Sequence, residues 1–393
     1  VTASPVPDRP RPDPSAPDPL SHWATTPASF GPVQPWHLTP PRRRRRPVLP
    51  MLVTILGLVV ILVMVALIGA GSPRALAIGA IPSTVALLAC LACYRWIDRW
   101  EPEPVGMLVM TLVWGGSVAV VLATVVEALA GTSDLVTAVL VAPPVEEFAK
   151  ASVFLVLLTG VRKLELTSLT DHLVYAGVCA LGFAFVENLG YFASAEGAGD
   201  IVVMTLVRTG FGVFGHPLFT SATAVGLWSW RHRGGFWRVV VGYVVACLLH
   251  GLWNGGPDAL TLALGDSDLS GLVSMAVVYL VLFVPVFVVA VRMVLRSRRR
   301  EIDAASRQLP LMVAAGLVTP AEADMVVLPQ LRHRGTTSRS QRAARDRMVT
   351  AVMEAAAAQE RIASGQGGPE LVRRRNELSA WLRARPDKVV ART

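Results

Sequence analysis

Apolar residues in this chain fall in long blocks, with no sustained two-residue alternation of the kind that marks half-buried strands. Eight stretches can be drawn, at Met51–Ala70, Ala75–Ile97, Val105–Ala130, Leu135–Gly160, His172–Ala193, Ile201–Trp228, Trp237–Gly256 and Leu272–Leu295. Each approaches or exceeds the ~20 residues that carry a helix across ~30 Å of hydrocarbon. The pattern predicts an all-α polytopic membrane protein with about eight transmembrane helices over residues 51–295. Residues 1–50 are rich in proline with Ser, Thr and Asp, and cannot bury enough apolar surface to fold alone, which predicts a disordered tail. Residues 296–393 read as a small basic helical region, with helices expected at 311–318, 320–328, 341–363 and 369–384. Thr319 before Pro320 makes an N-cap pair, and Gly365–Gly368 is a break.

Composition sharpens this picture. Charged residues make up only 17% of the chain against ~25% in soluble domains, with 53% hydrophobic residues and a mean hydropathy of +0.50. Lys and Arg set the orientation. Arg42–Arg46 precede the first span, alternate connections carry Arg95 and Arg99, Arg162 and Lys163, and Arg231, Arg233 and Arg238, and Arg296 and Arg298–Arg300 follow the last span. The other connections hold only Arg74, so both termini are expected in the cytoplasm of a multi-pass protein of the cell membrane. The net charge of +9 is then accounted for by topology and anionic headgroups, with the lipid bilayer as partner and no nucleic acid. The first span lies too far along the chain for a cleavable signal peptide and reads as a permanent anchor. Cys90, Cys93, Cys179 and Cys247 all lie in expected spans, so no disulfide framework is implied.

Candidate chemistry begins where charge interrupts the apolar blocks. An ionisable group near the bilayer centre costs ~2.5–3.5 kcal/mol even on insertion scales, so such residues usually line a wet interior. Glu146 and Glu147 follow Pro143 and Pro144, which supply no backbone donors; a break is expected there, with the glutamates in the first turn of a new half-helix. Lys150 shares a helical face with Glu146 and can hold one carboxylate ionised while the other accepts a proton. A self-neutralising buried pair is the plainer reading. Glu187, Asn188 and Tyr191 lie on the fifth span, and Arg208 on the sixth can pair with Glu187 in a purely structural bridge. His216 precedes Pro217, and His250 and Asn254 sit one turn apart on the seventh span, where they can offer two donors to a developing oxyanion. Gly255, Gly256 and Pro257 are expected to end that helix. Glu127 is near enough to the outer interface to reach headgroups and is left outside the site. At 1.5 Å per residue the depths of Glu146, Glu187, His216 and His250 scatter by roughly 13 Å, which permits clustering without requiring it.

This constellation resembles the PrsW family of intramembrane proteases, within the larger superfamily of CAAX prenyl endopeptidases. The matching runs are EExxK (Glu146, Glu147, Lys150), FxxxEN (Phe183, Glu187, Asn188), the Arg208–His216 region, and HxxxN (His250, Asn254), with Asp98, Glu101 and Glu103 in the preceding loop. The resemblance covers roughly residues 75–295. It implies a bacterial endopeptidase that hydrolyses a peptide bond in a membrane-anchored protein, of the single-pass anti-sigma-factor type, in regulated proteolysis. On this resemblance Glu146 activates water, Glu147 and Lys150 orient it, Glu187 stands where the prenyl endopeptidases have a histidine, His216 supplies what that exchange removes, and His250 with Asn254 forms the oxyanion pocket. Asn188 and Arg208 support. Metal-free water activation is favoured because no HExxH is present, with zinc as the other reading and Glu146, Glu187, His216 and His250 as its candidate ligands. A proton- or ion-coupled transporter that uses the buried charges as a relay is the alternative. It predicts inverted repeats, and the chain has no second copy of PPVEE or HGLWN.

Overall fold

The computed structural model describes Trp23 and residues 48–99, 103–159, 166, 168–265, 267–365 and 368–385. The proline-rich tail apart from Trp23 and 48–50, the basic residues Arg42–Arg46, Arg162 and Lys163, and Glu101 lie outside the described residues. All described regular structure is helical, and two compact units separate, one of residues 44–300 and one of residues 1–43 with 301–393.

Seven helices are long and apolar enough to cross a bilayer, which makes this a multi-pass membrane protein. They are α1 (Val48–Gly71), α2 (Pro73–Ile97), α3 (Val105–Ala130), α5 (Leu169–Ala193), the segment Ala198–Arg233, which holds α6 (Ala198–Met204) and α7 (Gly215–Arg233), α8 (Trp237–Leu264), and the segment Leu269–Ala314, formed by α9 (Asp268–Val278) and α10 (Val284–Ala314). The eighth expected span, Leu135–Gly160, is not one regular helix. It is assembled from Asp134–Val136, a wide π-helical turn at Thr137–Val141, α4 (Ala142–Ala151) and a last turn at Val153–Leu157. The prolines explain the break, although Glu146 and Glu147 fall in the second turn of α4, past the first turn expected. Pro257 does not end α8, which runs on to Leu264. With no water in the hydrocarbon to accept a freed backbone group, staying helical is the cheaper course.

α5 is the central helix, buried continuously from Leu169 to Phe183, whereas α1 presents most of its side chains outward. Lipid supplies no hydrophobic drive between helices, so close approach through small residues does the packing. A Cβ at Gly182 would overlap the Leu112 carbonyl oxygen, and one at Gly115 would overlap that of Cys179. Gly115 opens another π-helical turn, Gly115–Ala119, in α3; a third, Thr205–Phe211, joins α6 towards α7 and carries Arg208.

In the other unit, α11 (Pro320–Val327), α12 (Arg339–Ala363) and α13 (Pro369–Ala384) follow the expected pattern. Thr319 caps α11 through Glu322, as a capping box. The expected helix at 311–318 is instead the end of α10, which continues through Pro310 to Ala314.

Candidate functional site

Side chains of α8 hydrogen-bond backbone carbonyls at α4 and at the break before it. Tyr243 donates to the Pro144 carbonyl at 2.7 Å. Asn254 Nδ2 donates to the Ala138 carbonyl at 2.8 Å; the fifth residue on from Ala138, which a π-helical turn would use as donor, is Pro143 and has no N–H. These bonds fix α4 against α8 and so set where the glutamates point.

Glu146, Glu147 and Lys150 of α4, His216 of α7 and His250 of α8 are all buried and meet in one cluster. Lys150 Nζ lies 3.0 Å from Glu146 Oε2, 2.9 Å from Glu147 Oε1 and 3.0 Å from His216 Nδ1. Phe183 of α5 covers the ammonium from 4.0 Å, a cation–π contact in a site shielded from water. Glu147 is fully buried and accepts three bonds. Its Oε1 takes Lys150 and, at 3.1 Å, His250 Nδ1; its Oε2 takes Thr220 Oγ1 at 2.7 Å.

Each histidine therefore has a carboxylate behind it. His250 Nδ1 faces Glu147, and His216 Nε2 faces Glu187 Oε2 at 2.8 Å. A carboxylate is an acceptor, so these ring nitrogens carry the hydrogens and the opposite nitrogens present lone pairs. The lone pairs converge on Glu146: His250 Nε2 is 3.8 Å and His216 Nδ1 4.0 Å from its Oε2. Those gaps are too long for direct hydrogen bonds and leave room for one bridging atom. Phe219 stacks on the His250 ring at 4.8 Å and meets His216 edge-on, which holds both planes.

Glu187 is anchored from the far side. Arg208 ion-pairs with it through Nη2 while Arg208 Nε donates to Asn188 Oδ1 at 2.9 Å, and the guanidinium lies 4.0 Å from the Tyr191 ring. The bridge anticipated from sequence is present, and it also orients His216. Glu127, left outside the site on sequence, makes no hydrogen bond to the cluster through its buried Oε1 among the described residues, yet it lies close enough to interact electrostatically with Glu146, Glu187, Lys150 and His250. Asp98 and Glu103 form another cluster, with the Glu103 N–H on Asp98 Oδ2 at 2.7 Å and Tyr175 Oη on Glu103 Oε2 at 2.6 Å. Asn254, one turn from His250, is tied to backbone as described.

Glu146, His216 and His250 each offer one ligand atom, all within 4.8 Å of one another. Two imidazoles and a carboxylate, with a fourth position open, form the donor set of catalytic zinc sites, and a carboxylate hydrogen-bonded behind each histidine is the usual support for such ligands. The donor set thus fits a metal. Lys150 shares two of the three donor atoms, so ligation there competes with the lysine. Glu187, a candidate ligand on sequence, instead supports His216. Thr220 was not singled out from sequence; its signal is its position four residues after His216, on the same face of α7.

Comparison with known proteins gives one match. Residues 103–290 match the family model described as PrsW family intramembrane metalloprotease. No curated protein and no solved structure matches the chain.

Proposed function

We propose, from the premise that residues 103–290 make this chain a PrsW family intramembrane endopeptidase, that it hydrolyses a peptide bond of a membrane-anchored protein at the Glu146–His216–His250 centre. The observation that carries the proposal is the convergence of three ligand-type atoms, from three separate helices, in a buried pocket.

Of the three carboxylates, Glu146 is held least. Among the described residues Lys150 is its only hydrogen-bond partner, whereas Glu147 accepts three bonds and Glu187 is fixed between Arg208 and His216. Glu146 is accordingly the group free to take a proton from the attacking water and return it to the leaving amine. Lys150, fixed between Glu146 and Glu147, supplies positive charge beside the reacting atoms, where low dielectric strengthens it. Glu147 and Glu187 set the histidine rings. Asn254 acts on the site through the Ala138 carbonyl and the break before α4.

Metal-free chemistry was the preference on sequence. The three converging donors and the metalloprotease description of the family turn it towards zinc. In that reading Glu146 is a ligand in place of the free base: Glu146, His216 and His250 would hold the ion, which would supply the Lewis acidity that lowers the pKa of a water and polarises the scissile carbonyl. The substrate type suggested by the family resemblance, a single-pass anti-sigma factor, and cytoplasmic placement of both termini belong to the same proposal.

The test uses the purified full-length protein in detergent with a single-pass protein substrate. Elemental analysis should give about one zinc per chain, lost in His216→Ala and His250→Ala, and chelation should stop cleavage until zinc is restored. Glu146→Gln should insert normally and cleave nothing. Cleavage that resists chelators in zinc-free protein would overturn the metal assignment alone; normal turnover by Glu146→Gln would overturn the site.

A further inference from the structure

Trp23 is the one described residue before Val48, in the proline-rich tail, and it is 2% exposed. It belongs to the same compact unit as residues 301–393. Arg383 of α13 donates through Nη2 to the Trp23 carbonyl at 2.9 Å, and the Arg375 guanidinium stands 6.0 Å from the centre of the indole ring. Arg375 is itself fixed across the helix pair: its Nη1 donates to Gln359 Oε1 of α12 at 2.7 Å and its Nε to Asn376 Oδ1 at 3.0 Å. A buried tryptophan removes about 150–250 Å² from water, a large apolar stake for a single residue of a polar, proline-rich tail.

Two further observations agree. Between residues 12 and 41 the tail carries Asp13 and Asp18 and no lysine or arginine, whereas α13 carries four arginines against two glutamates. Counting the segment broken at α4 with the seven candidate spans gives the eight crossings expected from sequence, an even number that would return the chain after α10 to the side from which it entered α1. A contact between Trp23 and α13 requires that.

We propose that the C-terminal helical unit is a docking site for the chain's own N-terminal segment, with Trp23 as the anchor residue. The Arg383 bond reads backbone and the pocket under Arg375 reads the aromatic ring. Because the segment is tethered through residues 24–47 to α1, its effective concentration is high, and a single aromatic anchor suffices to keep it bound. The two ends of the chain are thereby fastened to each other, independently of the chemistry within the bilayer. Trp23 Nε1 is buried without a hydrogen-bond partner among the described residues, so the contacts that define the anchor are those of its ring and its carbonyl.

The experiment is hydrogen exchange by mass spectrometry on the full-length protein in detergent, with a photo-crosslinking arm. Trp23→Ala should accelerate exchange of the α13 amides between Leu371 and Leu382 by about tenfold, and Trp23→Phe, which keeps an aromatic ring and gives up the second ring with its N–H, should keep part of the protection. Arg383→Ala should lie between them. p-Benzoylphenylalanine in place of Trp23 should crosslink within the same chain to residues of α12 or α13. Unchanged α13 exchange in Trp23→Ala would overturn the proposal. So would crosslinks confined to lipid, to residues 44–300 or to a second copy of the chain. Proteolytic activity has no part in these readouts, so they stand apart from the assignment of the catalytic centre.

Discussion

Thr220→Val isolates one bond in the centre without touching a charge. Thr220 Oγ1 and Glu147 Oε2 are 2.7 Å apart, and both residues are fully buried. Valine keeps the volume and removes the hydroxyl, so Oε2 is left without a partner while Oε1 keeps Lys150 and His250. A hydrogen bond to a charged group contributes about 1.5–3 kcal/mol. The loss should stay below the ~3–5 kcal/mol of a broken buried ion pair, because the Lys150–Glu147 contact survives. At 1.4 kcal/mol per decade this is roughly a 10- to 150-fold smaller folding constant. Thr220→Ser, which keeps the hydroxyl and loses one methyl, should cost only about 0.5–1.5 kcal/mol, as for Ile→Val. Denaturant titration of the detergent-solubilised protein gives both values, and equal slopes would certify that the comparison is one of stability. Catalysis should follow the same order, since a Glu147 freed on one side holds His250 less firmly. If Thr220→Val matched or exceeded Thr220→Ser in stability, Glu147 Oε2 would have another donor and the three-bond account of this carboxylate would fail.

Arg208→Lys should insert and fold yet lose about tenfold in turnover, because a lysine cannot serve Glu187 and Asn188 together as the guanidinium does; full activity would remove Arg208 from the support of His216. Asn254→Ala should lower stability by about 1 kcal/mol, the usual worth of one hydrogen bond, and reduce turnover in proportion. A rate loss of about 10²–10³ at unchanged stability is instead the signature of a lost oxyanion donor, and would return Asn254 to direct contact with the reacting atoms. Gly182→Ala should cost about 1–3 kcal/mol or more by forcing α5 from the Leu112 carbonyl; a thermal-unfolding midpoint equal to that of the unsubstituted protein would contradict the close packing of α3 on α5.

Hydrophobic blocks and their lengths were enough to specify a helical membrane protein, because a backbone in hydrocarbon must satisfy its own hydrogen bonds and a helix is the local way to do so. Sequence also located the break before α4, since two adjacent prolines remove donors wherever they sit, and it selected the residues that interrupt apolar helices. It could not decide how those residues pair. Whether Glu187 ligates a metal, moves a proton or holds His216 depends on how α5 packs on α7, which brings Glu187 Oε2 to 2.8 Å from His216 Nε2. The fate of Pro257 likewise turned on the surroundings of α8, whose backbone has no water to turn to. Thr220 is unremarkable in sequence and acquires a role only because α7 lays it against Glu147. Trp23 gives the same lesson: composition marks the tail as unable to fold alone, and the burial of this ring beside Arg375 and Arg383 has no local signature in the sequence. Local pattern fixes what each segment must be, and long-range contacts, which carry no local signature, decide what each polar side chain meets.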